Sequence, residues 1–367
     1  MRVGLPKEIK NHEYRVGMIP NHVRALTQRG HTVLVEKGAG VGSGFLDNLY
    51  EQAGAQLVDT AAEVWTTCEM IVKVKEPVPS EYDLIQERQL IYTYLHLAAD
   101  PSLTEVLLKK QVSGVAYETI ETTDGRLPLL VPMSQVAGRM ATQVGAQYLQ
   151  RANGGKGVLL GGVPGTRRGR VVILGGGVVG THAAMIAVGM GADVRILDIN
   201  PKRLEELDFM FSGRVQTLFS DPYTIAEQAK QADLLIGAVL ITGAKAPTLV
   251  NRQLISEMEA GTVVVDVAVD QGGCIETCHP TTHEAPTFVV DDVVHYCVAN
   301  MPGAVSRTST LALNNTTRPH LLALVDYGVE EACRRDPSLM LGLNTYRGHC
   351  THQAVATSLG YEYSPLR

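Results

Sequence analysis

The chain has 367 residues and a formal net charge of −6, with 32 Lys and Arg against 38 Asp and Glu. Its 45% apolar and 19% charged residues exclude global disorder, and its mild acidity argues against a nucleic-acid binder, which needs clustered Lys and Arg. No apolar run reaches the roughly 18 residues that span a bilayer, and the six scattered cysteines fit a reducing compartment. We therefore predict a cytoplasmic protein with no nucleic-acid and no membrane partner.

The first third of the chain alternates short apolar runs with amphipathic stretches. The predicted strands are 3–5, 32–36, 70–74, 89–94 and 115–117, and the predicted helices between them include 21–29, 48–53 and 102–110. Strands that alternate with helices are typical of βαβ units and a parallel sheet.

A second alternation follows a long helix and a glycine-rich connection. Ser134 is predicted to cap that helix, which extends through Arg151, and the stretch 154–169 is predicted to lack regular structure. The further predicted strands are 171–174, 194–197, 215–218, 234–239, 263–267, 287–290 and 296–298. From about Ser309 the chain is predicted to be helical almost to its end.

This order of elements predicts an α/β fold of two domains with parallel sheets. No flexible linker precedes the helical tail, so we expect the tail to return to the first domain. The first, catalytic domain would then be discontinuous, with residues 1–130 plus 305–367. Residues 131–304 would form the second, nucleotide-binding domain.

A glycine fingerprint, Gly-x-Gly-x-x-Gly, follows the predicted strand 171–174 and opens a helical pattern. Gly175 would allow a tight turn, Gly177 would let the backbone approach a pyrophosphate, and Gly180 would let helix and strand pack closely. Asp198 ends the next strand, near the spacing of about 20 residues expected for an acid that binds ribose hydroxyls. Its carboxylate would repel a 2′-phosphate, so NAD is favoured over NADP. The alternative is a tight turn and a solvated acid without a ligand.

Three polar residues of the first domain are candidates for substrate binding and catalysis. Lys75 and His96 each close a predicted strand, where open parallel sheets bind ligands, and Arg15 lies in the connection after the first strand. Cations and an imidazole together suit a substrate with a carboxylate and a reacting carbonyl. Taken singly, each residue has a plainer alternative as a solvated or structural side chain.

Polar residues also follow strands of the second domain. Asp270 stands at the carboxyl end of the predicted strand 263–267, whereas Asp266 lies within its apolar run and is predicted to be structural. Asn300, in a turn after the strand 296–298, is a candidate substrate ligand, with a plain turn as the alternative. No metal site is predicted, because the spacing of the metal-capable side chains matches neither C-x2-C nor H-E-x-x-H: Cys274, Cys278, His279 and His283.

Longer strings together resemble the alanine dehydrogenase family over essentially the whole chain. They include RVGLPKE and EYRV near the start, KVKEP around Lys75, TYLHLA around His96 and PMSQVAGRMA around Ser134. Further along the chain, LGGGVVG, DVAVDQGG and NMPGAVSRTST continue the resemblance. These strings are more specific than a dinucleotide fingerprint.

The resemblance implies two Rossmann-like domains with a cleft between them, a homohexamer, and NAD-dependent reversible oxidative deamination of L-alanine to pyruvate and ammonia. It implies that Arg15 and Lys75 bind the substrate and that His96 and Asp270 carry out acid–base chemistry. The positions assigned to cofactor binding are Ser134, Gly175, Gly177, Val178, Val179, Gly180, Asp198, Arg203, Ser220, Val239, Leu240, Val267, Ala268, Val269, Asp270, Val298 and Met301.

Two other functions stay open at this point. The NAD-binding subunit of a proton-translocating transhydrogenase shares the opening pattern and the glycine loop, but it is not expected to need His96 or Asp270. A non-catalytic NAD-sensing protein would explain the glycines and leave Arg15, Lys75 and His96 without a role. His279 stands where some relatives have an arginine that touches the cofactor, so that contact is not assigned to this chain.

Overall fold

The computed structural model of the protein describes residues 1–239, 246–269 and 272–366. Two predicted site residues, Leu240 and Asp270, lie outside these ranges. The chain divides into two compact units, Met1–Met133 with Gly303–Arg367, and Ser134–Pro302. Each unit contains one sheet and the helices that connect its strands, so the predicted α/β class is confirmed. No helix in the described part of the chain is long and apolar enough to cross a membrane.

The first unit contains an eight-stranded sheet. Its strands are β1 (Arg2–Leu5), β2 (Thr32–Glu36), β3 (Gln56–Val58), β4 (Met70–Val72), β5 (Leu90–Thr93), β6 (Ser113–Ala116), β14 (Leu343–Tyr346) and β15 (His349–Cys350). Its helices are α1 (Pro20–Thr27), α2 (Asp47–Gln52), α3 (Ala61–Thr67), α4 (Pro101–Lys109), α10 (Ser306–Arg335, broken at Gly328), α11 (Pro337–Gly342) and α12 (Gln353–Leu359). The order is β15-β14-β6-β5-β4-β1-β2-β3, parallel throughout except at β14 and β15.

The second unit contains a seven-stranded sheet. Its strands are β7 (Arg170–Leu174), β8 (Asp193–Asp198), β9 (Gln216–Phe219), β10 (Leu234–Gly237), β11 (Val263–Asp266), β12 (Thr287–Val290) and β13 (Val293–Tyr296). Its helices are α5 (Val131–Tyr148), α6 (Val178–Gly189), α7 (Pro201–Phe211), α8 (Pro222–Lys230) and α9 (Arg252–Ser256). The order is β12-β13-β11-β10-β7-β8-β9, and only β12 pairs in antiparallel fashion.

The prediction that Ser134 caps the long helix is wrong. Helix α5 begins at Val131, and Pro132 occupies its first turn, where a missing N–H breaks no helical hydrogen bond. The helix ends at Tyr148 instead of Arg151, because the chain turns back and the Gly155 N–H donates to the Gln150 carbonyl at 3.2 Å. Ser134 therefore lies inside the first helical turns.

The prediction of a tail that is helical from about Ser309 almost to its end is also wrong. After α11 the chain forms the hairpin β14–β15, and β14 pairs with β6. Its two turn residues, Arg347 and Gly348, both have positive φ, 48° and 86°, as a tight hairpin requires. Strand β3 and helix α3 are not among the predicted elements, and the last predicted strand, 296–298, overlaps β13 (Val293–Tyr296) at one residue.

A buried ion cluster supports the connection between β4 and β5. Lys73 is 1% exposed, and its Nζ lies 3.2 Å from Glu8 Oε2 and 3.0 Å from Glu81 Oε1. Burial disfavours the charged lysine, but the two carboxylates outweigh it and raise the pKa of Lys73. Glu8 Oε1 also accepts a 2.6 Å hydrogen bond from the Val74 N–H, so the cluster ties the segment after β4 to the segment after β1.

We predict that Lys73→Met lowers the free energy of unfolding by about 3–5 kcal/mol, because it leaves two carboxylates buried without their cation. The matched control is Lys37→Met, since Lys37 also pairs with an acid, Asp59, but does so in solvent. Urea denaturation followed by circular dichroism measures both. Equal midpoints for the two variants would contradict a supporting role of the cluster.

Candidate active site

Three strands of the first sheet bring Arg15, Lys75 and His96 to one edge. Strand β4 lies between β1 and β5 and pairs with both in parallel. Lys75 and His96 each come three residues after their strand ends, and Arg15 lies in the connection that follows β1. The carboxyl ends of parallel strands meet at one edge of a sheet, which is where open α/β sheets bind ligands.

Arg15 is buried and is held by a neighbouring acid. Its Nε donates to Glu13 Oε1 at 2.7 Å and its Nη2 to Glu13 Oε2 at 2.6 Å, while Nη1 lies 3.1 Å from Met133 Sδ. Burial opposes the ionisation of Glu13, but the hydrogen bonds and charge of Arg15 outweigh it and lower the pKa of Glu13. This two-point contact fixes the plane of the guanidinium.

Lys75 is half-buried beside this arginine. Its carbonyl accepts a 3.0 Å hydrogen bond from Thr93 Oγ1, which ties the connection after β4 to β5. Burial, and after it the charge of Arg15, lower the pKa of Lys75. Two cations in a partly buried site repel each other. A carboxylate that binds between them would stabilise the charged form of both, so the site favours an anion. The arrangement therefore suits a small carboxylate.

His96 remains accessible at the same edge. Its side chain is 43% exposed, and its ring stacks almost parallel to that of Tyr94, with centroids 5.9 Å apart and planes 8° apart. Tyr94 is itself fixed, because its hydroxyl donates to the Leu129 carbonyl at 2.7 Å. An exposed imidazole on a fixed support can exchange protons with a bound ligand.

The glycine loop after β7 has the conformation that its sequence predicts. Gly175 has a φ of 98°, which L side chains rarely adopt. A Cβ on Gly180 would lie 1.9 Å from the Gly175 carbonyl oxygen, so only glycine lets α6 approach the loop this closely. A Cβ on Gly177 would meet no atom within 4 Å. The backbone at the start of α6 is therefore open to a ligand.

Asp198 is joined directly to this loop. Its Oδ2 accepts a 2.7 Å hydrogen bond from the Gly176 N–H. Arg203 braces the same turn, because its Nε donates to the Gly176 carbonyl and its Nη2 to Thr181 Oγ1, both at 2.7 Å. Its Nη1 pairs with Glu206 at 2.8 Å. Since the loop and Glu206 take up these donors, a cofactor contact by Arg203 stays a prediction.

Most of the other predicted cofactor residues, and the predicted substrate ligand Asn300, follow strands of the second sheet at its carboxyl edge. Ser220 follows β9, Val239 follows β10, and 267–269 follow β11. Val298, Asn300 and Met301 follow β13, with Val298 and Met301 buried and Asn300 in the left-handed region at a φ of 63°. Ser134, Val178 and Val179 lie instead in the first turns of helices α5 and α6.

Asp266 is structural, as predicted. It is fully buried, and its carboxylate accepts hydrogen bonds from the N–H groups of Ala268 at 3.1 Å, Cys274 at 3.0 Å and Ile275 at 3.3 Å. It thus joins the end of β11 to a later part of the chain. Among the residues that the structure describes, no group of three or more His, Cys, Asp or Glu side chains could hold a metal ion. His279 stacks on Phe288 instead, with ring centroids 3.9 Å apart.

Family models match nearly the whole chain. The model described as alanine dehydrogenase/PNT, N-terminal domain, matches residues 4–137, and the model for the C-terminal domain matches residues 141–353. The chain belongs to the alanine dehydrogenase/PNT family. The resemblance stated from the sequence is therefore confirmed.

Individual members of the family are similar at different levels. An alanine dehydrogenase of Staphylococcus haemolyticus (strain JCSC1435) is 56% identical over 367 residues, which cover 100% of this chain and 98% of that protein. A solved L-alanine dehydrogenase is 54% identical, with a TM-score of 0.96 over 98% of this chain and 99% of that one. A transhydrogenase from Sinorhizobium meliloti shares the fold at 24% identity, with a TM-score of 0.84 over 95% and 100% of the two chains.

Two acids at the first sheet's edge were missed in the sequence analysis, although they touch its candidate residues. Glu13 lies two residues before Arg15 in a predicted loop, and an acid so close to a candidate arginine was a usable signal. Glu118 bonds to backbone N–H groups of the segment ending at His96, which lies 22 residues earlier in the chain. Such a contact leaves no periodicity or spacing in the sequence.

Gly177 and Gly180, at the start of α6, form a matched pair of positions for mutation. We predict that Gly180→Ala lowers the free energy of unfolding by about 1–3 kcal/mol or more, because the new Cβ collides with the backbone. Gly177→Ala is expected to stay within about 0.5 kcal/mol of the wild type, because its Cβ enters open space at an ordinary φ of −66°. Thermal unfolding without ligand measures both, and a reversed order would contradict this description of the loop.

Proposed function

We propose that this chain is an NAD-dependent L-alanine dehydrogenase, which catalyses the reversible oxidative deamination of L-alanine to pyruvate and ammonia. The observation that carries the proposal is the grouping of Arg15, Lys75 and His96 at one sheet edge. It is supported by relatives named alanine dehydrogenase at 54–56% identity over the full length.

The substrate carboxylate is the ligand for Arg15 and Lys75. Glu13 occupies Nε and Nη2 of Arg15 on one side, which orients the guanidinium before any substrate binds. The charge of Lys75 adds to that of Arg15, and burial, followed by the charge of Arg15, lowers the pKa of Lys75. Both alanine and pyruvate carry this carboxylate, so one pair of cations serves the reaction in both directions. Asn300 is proposed as a further substrate ligand on the resemblance alone.

The residues of the second unit fit a dinucleotide. The open space at Gly177 admits a pyrophosphate, and the free N–H groups and positive dipole end of α6 favour its charge. Asp198 keeps carboxylate lone pairs for the ribose hydroxyls while it holds Gly176. A bound NAD would supply an acceptor for the hydride of the alanine Cα. The remaining predicted contacts at this sheet edge, Leu240 among them, complete the proposed cofactor site.

His96 and Asp270 are proposed to move the protons of the reaction. Conversion of alanine to pyruvate requires proton transfer at the substrate nitrogen and at the oxygen of the water that replaces it. His96 is exposed at the same edge as the carboxylate-binding cations, so its imidazole can act as acid or base there. Asp270, outside the described residues, is assigned this role from its place in the DVAVDQGG string.

Assembly and location follow from the resemblance and the composition. We propose a homohexamer in the cytoplasm, and the cleft predicted between the two domains stays a prediction. All six cysteines are unpaired, which fits a reducing compartment. The transhydrogenase alternative is supported at the level of fold only, and the NAD-sensing alternative leaves the cations at the first sheet unexplained. Turnover separates both alternatives from the proposal.

The first prediction from this proposal concerns the substrate. The enzyme should consume NADH only when pyruvate and ammonium are present together, and it should form NADH from L-alanine and NAD. Absorbance at the NADH wavelength measures both, with reactions that lack one component as controls. Equal turnover with pyruvate alone would identify a hydroxy-acid dehydrogenase, and no turnover in either direction would favour a binding protein.

The second prediction concerns cofactor choice. Asp198→Ala should weaken NAD binding and narrow the preference over NADP, because it removes the ribose acceptor and the charge that repels a 2′-phosphate. Asp193→Ala is the matched control, since Asp193 is a half-exposed acid at the opposite end of the same strand β8. The ratio of kcat/KM values for the two cofactors is the measurement. An unchanged ratio in Asp198→Ala assigns cofactor selection to another residue.

A further inference from the structure

His96 has a backbone conformation that non-glycine residues seldom adopt. Its φ of 50° and ψ of 36° lie in the left-handed region, at the junction between β5 and the short turn Leu97–Ala99. Such a conformation costs free energy for an L residue and persists only where its surroundings impose it. Something in the structure must therefore hold the backbone at the residue to which we assign proton transfer.

The carboxylate of Glu118 makes that contact. Its Oε1 accepts a 2.6 Å hydrogen bond from the His96 N–H, and both oxygens lie 3.2 Å from the Leu95 nitrogen, whose N–H they accept. The same Oε1 lies 4.0 Å from Nδ1 of the His96 ring. The Glu118 side chain is only 13% exposed, which strengthens each of these charge-assisted contacts.

The sheet explains how an acid so distant in sequence reaches this turn. Strand β6 pairs in parallel with β5, with Ala116 opposite Thr93. Glu118 comes two residues after β6 ends, and His96 comes three residues after β5 ends. Their side-by-side position is therefore a consequence of strand register, in the same way that β4 and β5 bring Lys75 and His96 together.

We propose that Glu118 is a positioning residue for His96. It holds the left-handed backbone through two N–H groups and places a negative charge beside Nδ1, so the ring keeps its stacked orientation on Tyr94. Nδ1 faces Glu118, which leaves Nε2 as the nitrogen for proton exchange with the substrate. The inference rests on the proposed function, because it takes His96 as an acid–base residue of alanine turnover.

The test is a double-mutant cycle on the full-length enzyme. Glu118→Met keeps the length of the side chain without an acceptor oxygen, and Glu118→Gln keeps one oxygen that can accept from both N–H groups. We expect kcat for alanine to fall about 10–100-fold in E118M, by analogy with the loss of a partner that orients a metal-binding histidine. E118Q should show most of the same fall in kcat, because its amide places no negative charge beside Nδ1 of His96. The exposed neighbour Glu121 supplies the control E121M, which should match the wild type.

The variant His96→Ala completes the cycle, because it shows whether Glu118 acts through His96. If Glu118 acts through His96, adding E118M to His96→Ala should lower kcat no further, whereas a general structural defect would lower both backgrounds equally. KM for NAD should not change in any variant. Wild-type kcat in folded E118M, or equal effects in both backgrounds, overturns the proposal.

Amide hydrogen exchange gives a second readout that is independent of activity. The His96 N–H should be protected in the wild type and in E118Q, and exposed to exchange in E118M. If E118M fails to fold, rapid exchange of this N–H in the wild type overturns the proposal, and protection supports it. An inactive wild type would instead overturn the proposed function. Full activity of His96→Ala would overturn the role of His96.

Discussion

Parallel pairing of β1, β4, β5 and β6 is the constraint on which the candidate active site depends. Each strand ends at the same edge of the sheet. Lys75, His96 and Glu118 come two or three residues after their strands end, and Arg15 lies further along the connection that follows β1. The pairing is made by backbone hydrogen bonds between largely apolar strands, and it fixes where the connections that carry these side chains begin. The chemistry is added in the connections, where backbone is free to take unusual conformations.

Buried acids then convert this edge into a site of defined charge. Glu8 anchors Lys73 and the Val74 N–H, and Glu13 holds Arg15 by two hydrogen bonds. Without such partners, several cations at one sheet edge would repel one another and lose their order. Lys75 differs from Lys73 and Arg15, because burial and the charge of Arg15 lower its pKa, so an added carboxylate would stabilise its charged form.

The sequence predicts the parts of the fold and of the candidate site whose signal lies in a local pattern of residues. Apolar runs and the glycine fingerprint predict most strands of both sheets, the loop at Gly175 and the polar strand ends. Strand β3 is not predicted, because it is a short, partly exposed edge strand. The hairpin β14–β15 is not predicted, because its turn has Arg347 beside Gly348. The role of Glu118 cannot be predicted from the sequence, because its partners are backbone groups in another connection.

Arg15 and Lys75 are proposed to form one carboxylate site at the edge of the first sheet, beside His96. A crystal structure of the full-length protein with NADH and pyruvate tests this most directly. We expect the pyruvate carboxylate within hydrogen-bond distance of the Arg15 guanidinium and Lys75 Nζ, with the pyruvate carbonyl carbon on the side of His96. Pyruvate bound elsewhere, or at this edge without contact to either cation, would contradict it.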